Sequence, residues 1–210
     1  MNVTEMRATV SRDLHDEDAG GYRWTDDEID RHIAHAVKDL SEAVPDEQKA
    51  TKATTAGARG IDISDITGRV MVEAVEYPVD QFPASYQRFQ VWGNVLTLLG
   101  DEVPDGSNAN VYYGKLHRLD ESTSTIPERL EDLVAVGAAG YAAIEWAQYA
   151  ANRVNVGGTG TPAELLTWGQ GRLVQFKEQL NKASRQHRVR VRSLYRPYAS
   201  PVSKSTDYGP

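Results

Sequence analysis

The chain contains no cysteine. That excludes a disulfide framework, a thiol nucleophile and cysteine-ligated zinc or iron–sulfur centres. Large apolar side chains are also sparse. Leu, Ile, Val and Phe make up 44 of 210 residues, just above the ~20% level at which chains begin to resemble disordered ones. Long hydrophobic runs are missing as well. The longest stretches without Asp, Glu, Lys or Arg are Phe89–Gly100 and Leu133–Ile144, 12 residues each, against the ~20 apolar residues that cross a bilayer. No membrane partner is expected. The opening MNVTEMRATVSRDLHDED is charged from Glu5 onward and lacks the apolar core of a signal peptide, so synthesis and folding in a cytoplasm is the expectation. G-x-S-x-G, H-E-x-x-H and the phosphate-loop GK[ST] ending do not occur. No catalytic, cofactor-binding or metal-ligating residue is assigned on this reading, and an enzyme is not expected.

What is present reads as a globular chain, with 25% charged residues and a net charge of −7. The length suits one ordinary domain or a core with one sizeable insertion. Alanine (23 residues) and valine (20) fill the core. They bury less area per residue than Leu or Phe, and so thin a core hints that another subunit completes it.

Val3, Met6, Val10 and Leu14 recur at spacings of three and four, one face of a short helix. The acidic, glycine-containing HDEDAGGY (15–22) breaks it. A second helix starts at a T-x-x-E capping box, Thr25 with Glu28, with Asp26 and Asp27 at its positive end. Trp24 and Ile29 have the spacing of a hydrophobic staple. Ile29, Ile33, Val37, Leu40 and Val44 form its buried stripe, and Pro45 stops it.

Residues 46–59 are small and polar and read as a linker. Over 60–119 the period changes, with β-branched and aromatic residues punctuated by Pro78, Pro83 and Gly93. This predicts an inserted antiparallel β unit of four or five strands, with 101–110 as a long hairpin turn. Helical signals return at Thr125-x-x-Glu128, a second capping box around Pro127, followed by the stripe Leu130, Leu133, Val134, Gly137, Tyr141 and Ile144. Gly137 and Gly140 each cost ~1 kcal/mol against alanine within a helix, tolerable where another backbone packs closely. NVGGTG (155–160) makes the turn. Thr161, Pro162 and Glu164 then start a last helix with Leu166, Gly169, Leu173, Phe176, Leu180 and Ala183 on one side. These two helices should form an antiparallel hairpin over 120–187. The expected fold is α+β, mainly α: a bundle of about four helices, beginning with those of 1–45, an inserted β unit, and an extended C-terminal arm over 188–210.

Several clusters invite chemical readings. His32 and His35 lie three apart, but zinc needs a third ligand and usually an i, i+4 pair, so they read as exposed polar residues opposite the apolar stripe. His15 with Asp16, Glu17 and Asp18 reads as a solvated acidic loop. The run from Asp101 to Gly106 superficially follows a calcium loop. Val103 and Tyr112 stand where carboxylates are needed, and that reading is rejected.

The C-terminal end differs from the rest in charge. From Arg172 onward there are nine basic and two acidic residues, net +7, leaving 14 basic and 28 acidic residues, net −14, in 1–171. Arg188, Arg190 and Arg192 alternate as on one face of a strand, and Tyr195, Arg196 and Tyr198 follow. Three readings stay open: a solvated tail, docking onto a protein partner by strand addition or arginine pairing, and nucleic-acid binding through the arginines, against which the acidic remainder weighs.

The run Tyr22-Arg23-Trp24-Thr25-Asp26-Asp27-Glu28-Ile29-Asp30, with His35-Ala36-Val37-Lys38-Asp39-Leu40 and Pro45 after it, resembles the N-terminal signature of head-to-tail adaptor (connector) proteins of tailed bacteriophages. Within it Trp24, Thr25, Glu28 and Ile29 are the structural signature residues. The likeness covers residues 22–45 and extends beyond them only in layout. It implies a virion structural protein, made in the host cytoplasm and placed in the head–tail neck. Such adaptors form a ring, typically of twelve subunits, beneath the portal protein. The ring prolongs the channel for double-stranded DNA, which passes without specific binding, and it receives the stopper or tail protein. The family's arm reaches toward the portal. That role falls here on Arg188, Arg190, Arg192, Tyr195, Arg196 and Tyr198, with portal or a neighbouring copy as partner. The β unit departs from shorter members of the family and leaves its own placement open. An acidic body suits a channel through which DNA must slide, because like charge removes the counterion-release gain that drives binding. Another neck component, a stopper or tail-completion protein, is the alternative, and an arginine-tail nucleic-acid-binding protein a further one.

Overall fold

A computed structural model describes residues 1–18, 20–100, 103–150 and 161–193, with side chains of the last helix as far as Arg188. The fold is α+β, four helices and two small antiparallel sheets. The order is α1 (Val3–Asp13), α2 (Asp26–Ala43), β1 (Asp46–Ala53), β2 (Gly60–Asp62), β3 (Arg69–Glu76), β4 (Phe89–Trp92), β5 (Val95–Leu98), β6 (Asn108–Lys115), α3 (Glu128–Ala150) and α4 (Pro162–Ser193). Two compact units result. Among the described residues, one joins Met1–Asp46 to Lys115–Gln186, and the other comprises Glu47–Gly114 with the end of α4 from His187 to Ser193.

In the helical unit the helix starts are built from side chains. Asn2 and Glu5 cap α1 reciprocally at 2.9 Å each way. Thr161 and Glu164 do the same for α4, at 2.9 and 3.2 Å. The apolar stripes face inward as their spacing requires: Met6, Val10 and Leu14 from α1, and Ile29, Ile33, Val37, Leu40 and Val44 from α2, are all buried. α3 is buried around most of its girth, mainly through alanine, which makes it the centre of the bundle. Small side chains there let α4 come close. A Cβ added at Gly137 would stand 2.9 Å from three ring carbons of Phe176, and one at Gly140 would stand 3.2 Å from the Gly169 carbonyl. The contacts run 137 to 176, 140 to 173 and 144 to 169, so the hairpin is antiparallel.

Thr125 does not cap α3. Its hydroxyl accepts from the Arg118 N–H at 2.9 Å and faces His117 Nδ1 at 3.1 Å, so the expected second capping box gives way to a tie within the segment leading into the helix. His117 in turn reaches the Val44 carbonyl through Nε2 at 2.9 Å and the Ser41 hydroxyl through its N–H at 2.9 Å. This closes the end of α2, where Pro45 prevents the helix from continuing. The expected turn at 155–160 lies outside the described residues.

The β unit departs from expectation in three ways. Residues 46–59 are not a linker: β1 occupies 46–53 and pairs with β6 in a sheet of order β1-β6-β3. β1 is an edge strand, mostly exposed. Its charged sequence DEQKATKA carries the lysines that edge strands use and little of the apolar alternation that reveals a strand. Next, the segment before β6 is not a hairpin turn, because β5 pairs with β2 and β4 in the other sheet. The actual hairpin is β4–β5. Trp92 pairs with Val95, and Gly93 holds φ 58° at the first of the two turn positions, which suits a type II′ turn. Finally, two sheets rather than one share the core, made of Ile61, Ile63, Val75, Leu96, Leu98 and Val111 among others.

Tyr77 organises the loop before β6. Its hydroxyl lies 2.9 Å from both the Asp105 carboxylate and the Asp105 N–H. Bonds from Ser107 and Tyr77 hold the Asp105 carboxyl down at about 2, and the carboxylate serves as a staple for the loop.

Candidate partner-binding surfaces

The signature residues Trp24, Thr25, Glu28 and Ile29 meet at one corner of the helical unit. Thr25 Oγ1 accepts from the Glu28 N–H at 3.3 Å, and the Glu28 carboxylate accepts from the Thr25 N–H at 2.8 Å and from its hydroxyl at 2.9 Å. These bonds to Thr25 hold the Glu28 carboxyl below its ordinary range. Trp24 is buried, donates from Nε1 to the Ala142 carbonyl at 3.3 Å and lies 6.2 Å from the Trp146 ring. The Arg23 guanidinium sits over Trp146 at 5.2 Å. The start of α2 is thereby nailed to the middle of α3. Trp24 and Ile29 are buried in the bundle, while Thr25 and Glu28 cap α2 at its exposed corner.

Asp16 serves the same corner. Its carboxylate is buried and accepts from the N–H groups of Arg23 (2.9 and 3.1 Å) and Trp24 (3.2 Å). The expected solvated acidic loop is therefore corrected at this residue: burial is offset by two backbone donors, one of them shared between both carboxylate oxygens.

His32 corrects another expectation. It is buried rather than exposed, with Nε2 3.5 Å from Glu145, which also takes Arg31 at 2.5 Å. Burial lowers its pKa, with Glu145 opposing. His35, by contrast, is exposed and stacks on Tyr141 at 4.0 Å. The Tyr141 hydroxyl donates to Asp39 at 2.5 Å, and burial together with Asp39 pushes its pKa up. The two histidines hold α2 to α3 through separate partners and do not converge on one metal. Sequence spacing put both on α2. Their partners, Glu145 and Tyr141, lie more than 100 residues away, and no local pattern announces them.

The basic end takes a form the sequence did not suggest. α4 continues to Ser193, so 188–193 is helix and neither strand nor extended arm. Positions 188, 190 and 192 share a face in a strand and do not in a helix. What the helix lines up instead is Lys182, Arg185 and Arg188, three apart and all exposed. Behind them Phe176, Leu180 and Ser184 are buried. The side chains of Arg190 and Arg192, and residues Tyr195, Arg196 and Tyr198, lie outside the described residues. Helix formation here is physically reasonable, because arginine has good helix propensity and cations are favoured in a helix's last turns.

A further recess of about 590 Å³ opens beside α2, with Ile33, Val37 and Leu116 in its lining. The lining also carries Asp30, Lys38, Arg118 and Asp120, two charges of each sign, which suits an uncharged or mixed-charge protein segment better than a nucleic-acid backbone. A scan against protein-family models found no match, and a search of curated proteins found none either.

Proposed function

We propose that the protein is a head-to-tail adaptor of tailed bacteriophages, a ring subunit that joins the portal to the neck and prolongs the DNA channel. The observation that carries this reading is the run from Tyr22 to Pro45. Of its family-like residues, Trp24 ties the start of α2 to α3, Ile29 is buried in the same core, and Thr25 with Glu28 caps α2. A signature made of helix-capping and anchoring residues is what a shared bundle architecture requires.

Charge supports the same reading. The −14 of residues 1–171 disfavours DNA adhesion, while Lys182, Arg185 and Arg188 offer a basic row for an acidic protein surface. Trp92, at the tip of the β4–β5 hairpin, and Phe82 are almost wholly exposed, which fits an assembly whose neighbouring copies cover them.

The test is reconstitution with the cognate portal. Electron micrographs of the mixture should show added ring density below the portal, and portal rings unchanged by the protein would refute the proposal. Within it, reversing Lys182, Arg185 and Arg188 to glutamate should leave the helical signal intact and abolish co-sedimentation with portal. A stopper would bind the adaptor ring and leave portal alone. A nucleic-acid-binding protein would show steeply salt-dependent DNA affinity that the triple reversal removes.

A further inference from the structure

Three chemistry-bearing residues that the sequence keeps far apart come together in the β unit. Glu47 stands on β1, Glu73 on β3 and His187 near the end of α4. His187 Nε2 is 2.8 Å from a Glu73 carboxylate oxygen, and His187 Nδ1 is 3.3 Å from one of Glu47. One ligand atom from each residue falls within 4.8 Å of the others. The His187 and Glu73 side chains are each 8% exposed, whereas Glu47 is 43% exposed. The set is closed on one side and open to water on the other.

We infer that Glu47, Glu73 and His187 bind a divalent transition-metal ion, of the zinc, cobalt or manganese class. The donor set carries the choice of ion. Two carboxylates with one imidazole suit borderline cations, whereas calcium and magnesium take all-oxygen shells. The geometric adjustment between His187 and Glu73 is small. Ligands ~2.0–2.1 Å from a tetrahedral ion lie ~3.3 Å apart, so His187 Nε2 and Glu73 need to separate by about half an ångström. Glu47 stands against the other ring nitrogen, Nδ1, at 3.3 Å, and its exposed side chain swings from there to the ion as the third protein ligand, with water in the remaining position. The ion then ties the first strand, the third strand and the last helix together, just before the basic Arg188. The arrangement is independent of the adaptor reading.

The experiment is titration of the full-length protein, stripped with chelator, with zinc by calorimetry and with cobalt by visible absorption. Wild type should take up one equivalent, with cobalt bands of nitrogen/oxygen ligation and a raised thermal midpoint. H187Q should abolish uptake, and E73Q should weaken it at least tenfold. E47Q, altered at the exposed ligand and expected to fold normally, should weaken it severalfold. No saturable uptake by wild type, or uptake that E47Q and H187Q leave unchanged, overturns the inference. Should H187Q fail to fold, E47Q and E73Q decide the matter in the same way.

Discussion

The close approach of α3 and α4 allows two opposing energies to be weighed at single residues. Replacing glycine by alanine inside a helix gains ~1 kcal/mol from backbone propensity. At Gly171 nothing lies within 4 Å of the added methyl, so propensity acts alone and G171A should stabilise the helical unit. At Gly137 the methyl meets three ring carbons of Phe176 at 2.9 Å. Carbon pairs prefer ~3.5–4.0 Å, so the ring must retreat by ~0.6 Å or more. Phe176 is fully buried and set edge-on to Tyr141 at 6.5 Å between centroids, and close-packed interiors offer little room for that retreat. Overpacking costs ~1–3 kcal/mol; the upper half of that range applies to a fully buried ring, and less the ~1 kcal/mol propensity gain G137A should come out destabilised by ~1–2 kcal/mol.

Urea unfolding followed by far-UV circular dichroism reads both variants, with thermal midpoints as a second measure. At this chain length ~1 kcal/mol corresponds to ~2–4 °C. Wild type should lie between the two, G171A above and G137A below. A smaller side chain at 176 should relieve the clash, so G137A and F176L combined should cost less than their sum. If G137A is as stable as wild type, the ring yields freely and the packing argument fails. If G171A shows no gain, the propensity argument fails.

Three further outcomes follow from the helical unit. T25A removes the cap of α2 and should cost ~1 kcal/mol, read as a lower urea midpoint. Because Glu28 titrates below its ordinary value in the fold, its contribution is present above that value and lost as pH falls through the folded pKa; E28Q should flatten the acid limb of the stability curve, and an unchanged limb counts against the cap. His32 has the opposite charge behaviour: its folded pKa lies below 6.5, so the unfolded chain binds the proton first, and stability should decline as pH drops through 6.5 toward the folded value. H32Q should remove that slope between neutral and mildly acidic pH, and a slope that persists would place its origin elsewhere.

How much the sequence revealed depended on whether the cause was local. Thr25 with Glu28, and Thr161 with Glu164, cap helices through contacts three residues long, and both were legible. The apolar stripes were legible for the same reason: helical period turns spacing into a face. Thr125 carried the same signal and was taken by Arg118 and His117, partners supplied by the chain's return past the end of α2. β1 was illegible because an edge strand needs only one paired side and little apolar alternation, so its charged residues looked like a linker. Glu47, Glu73 and His187 were illegible as a set, since only the topology brings residues 47, 73 and 187 together.

The basic end is where local pattern and local physics disagreed. Alternation of arginine with valine at 188–192 fits a strand face, and valine favours strands. Yet the segment follows 26 residues of uninterrupted helix, and adding residues to an existing helix is far easier than nucleating new structure. Propagation wins through Ser193, and this changes which mode of docking remains open. Strand addition needs an extended backbone with unpaired N–H and C=O groups, and a helix has already used its own. Arginine pairing needs only exposed guanidinium and ammonium groups at fixed spacing, which Lys182, Arg185 and Arg188 provide along about two turns. A partner reading this row must present acidic groups at a helix's repeat, ~5 Å apart, rather than an open sheet edge.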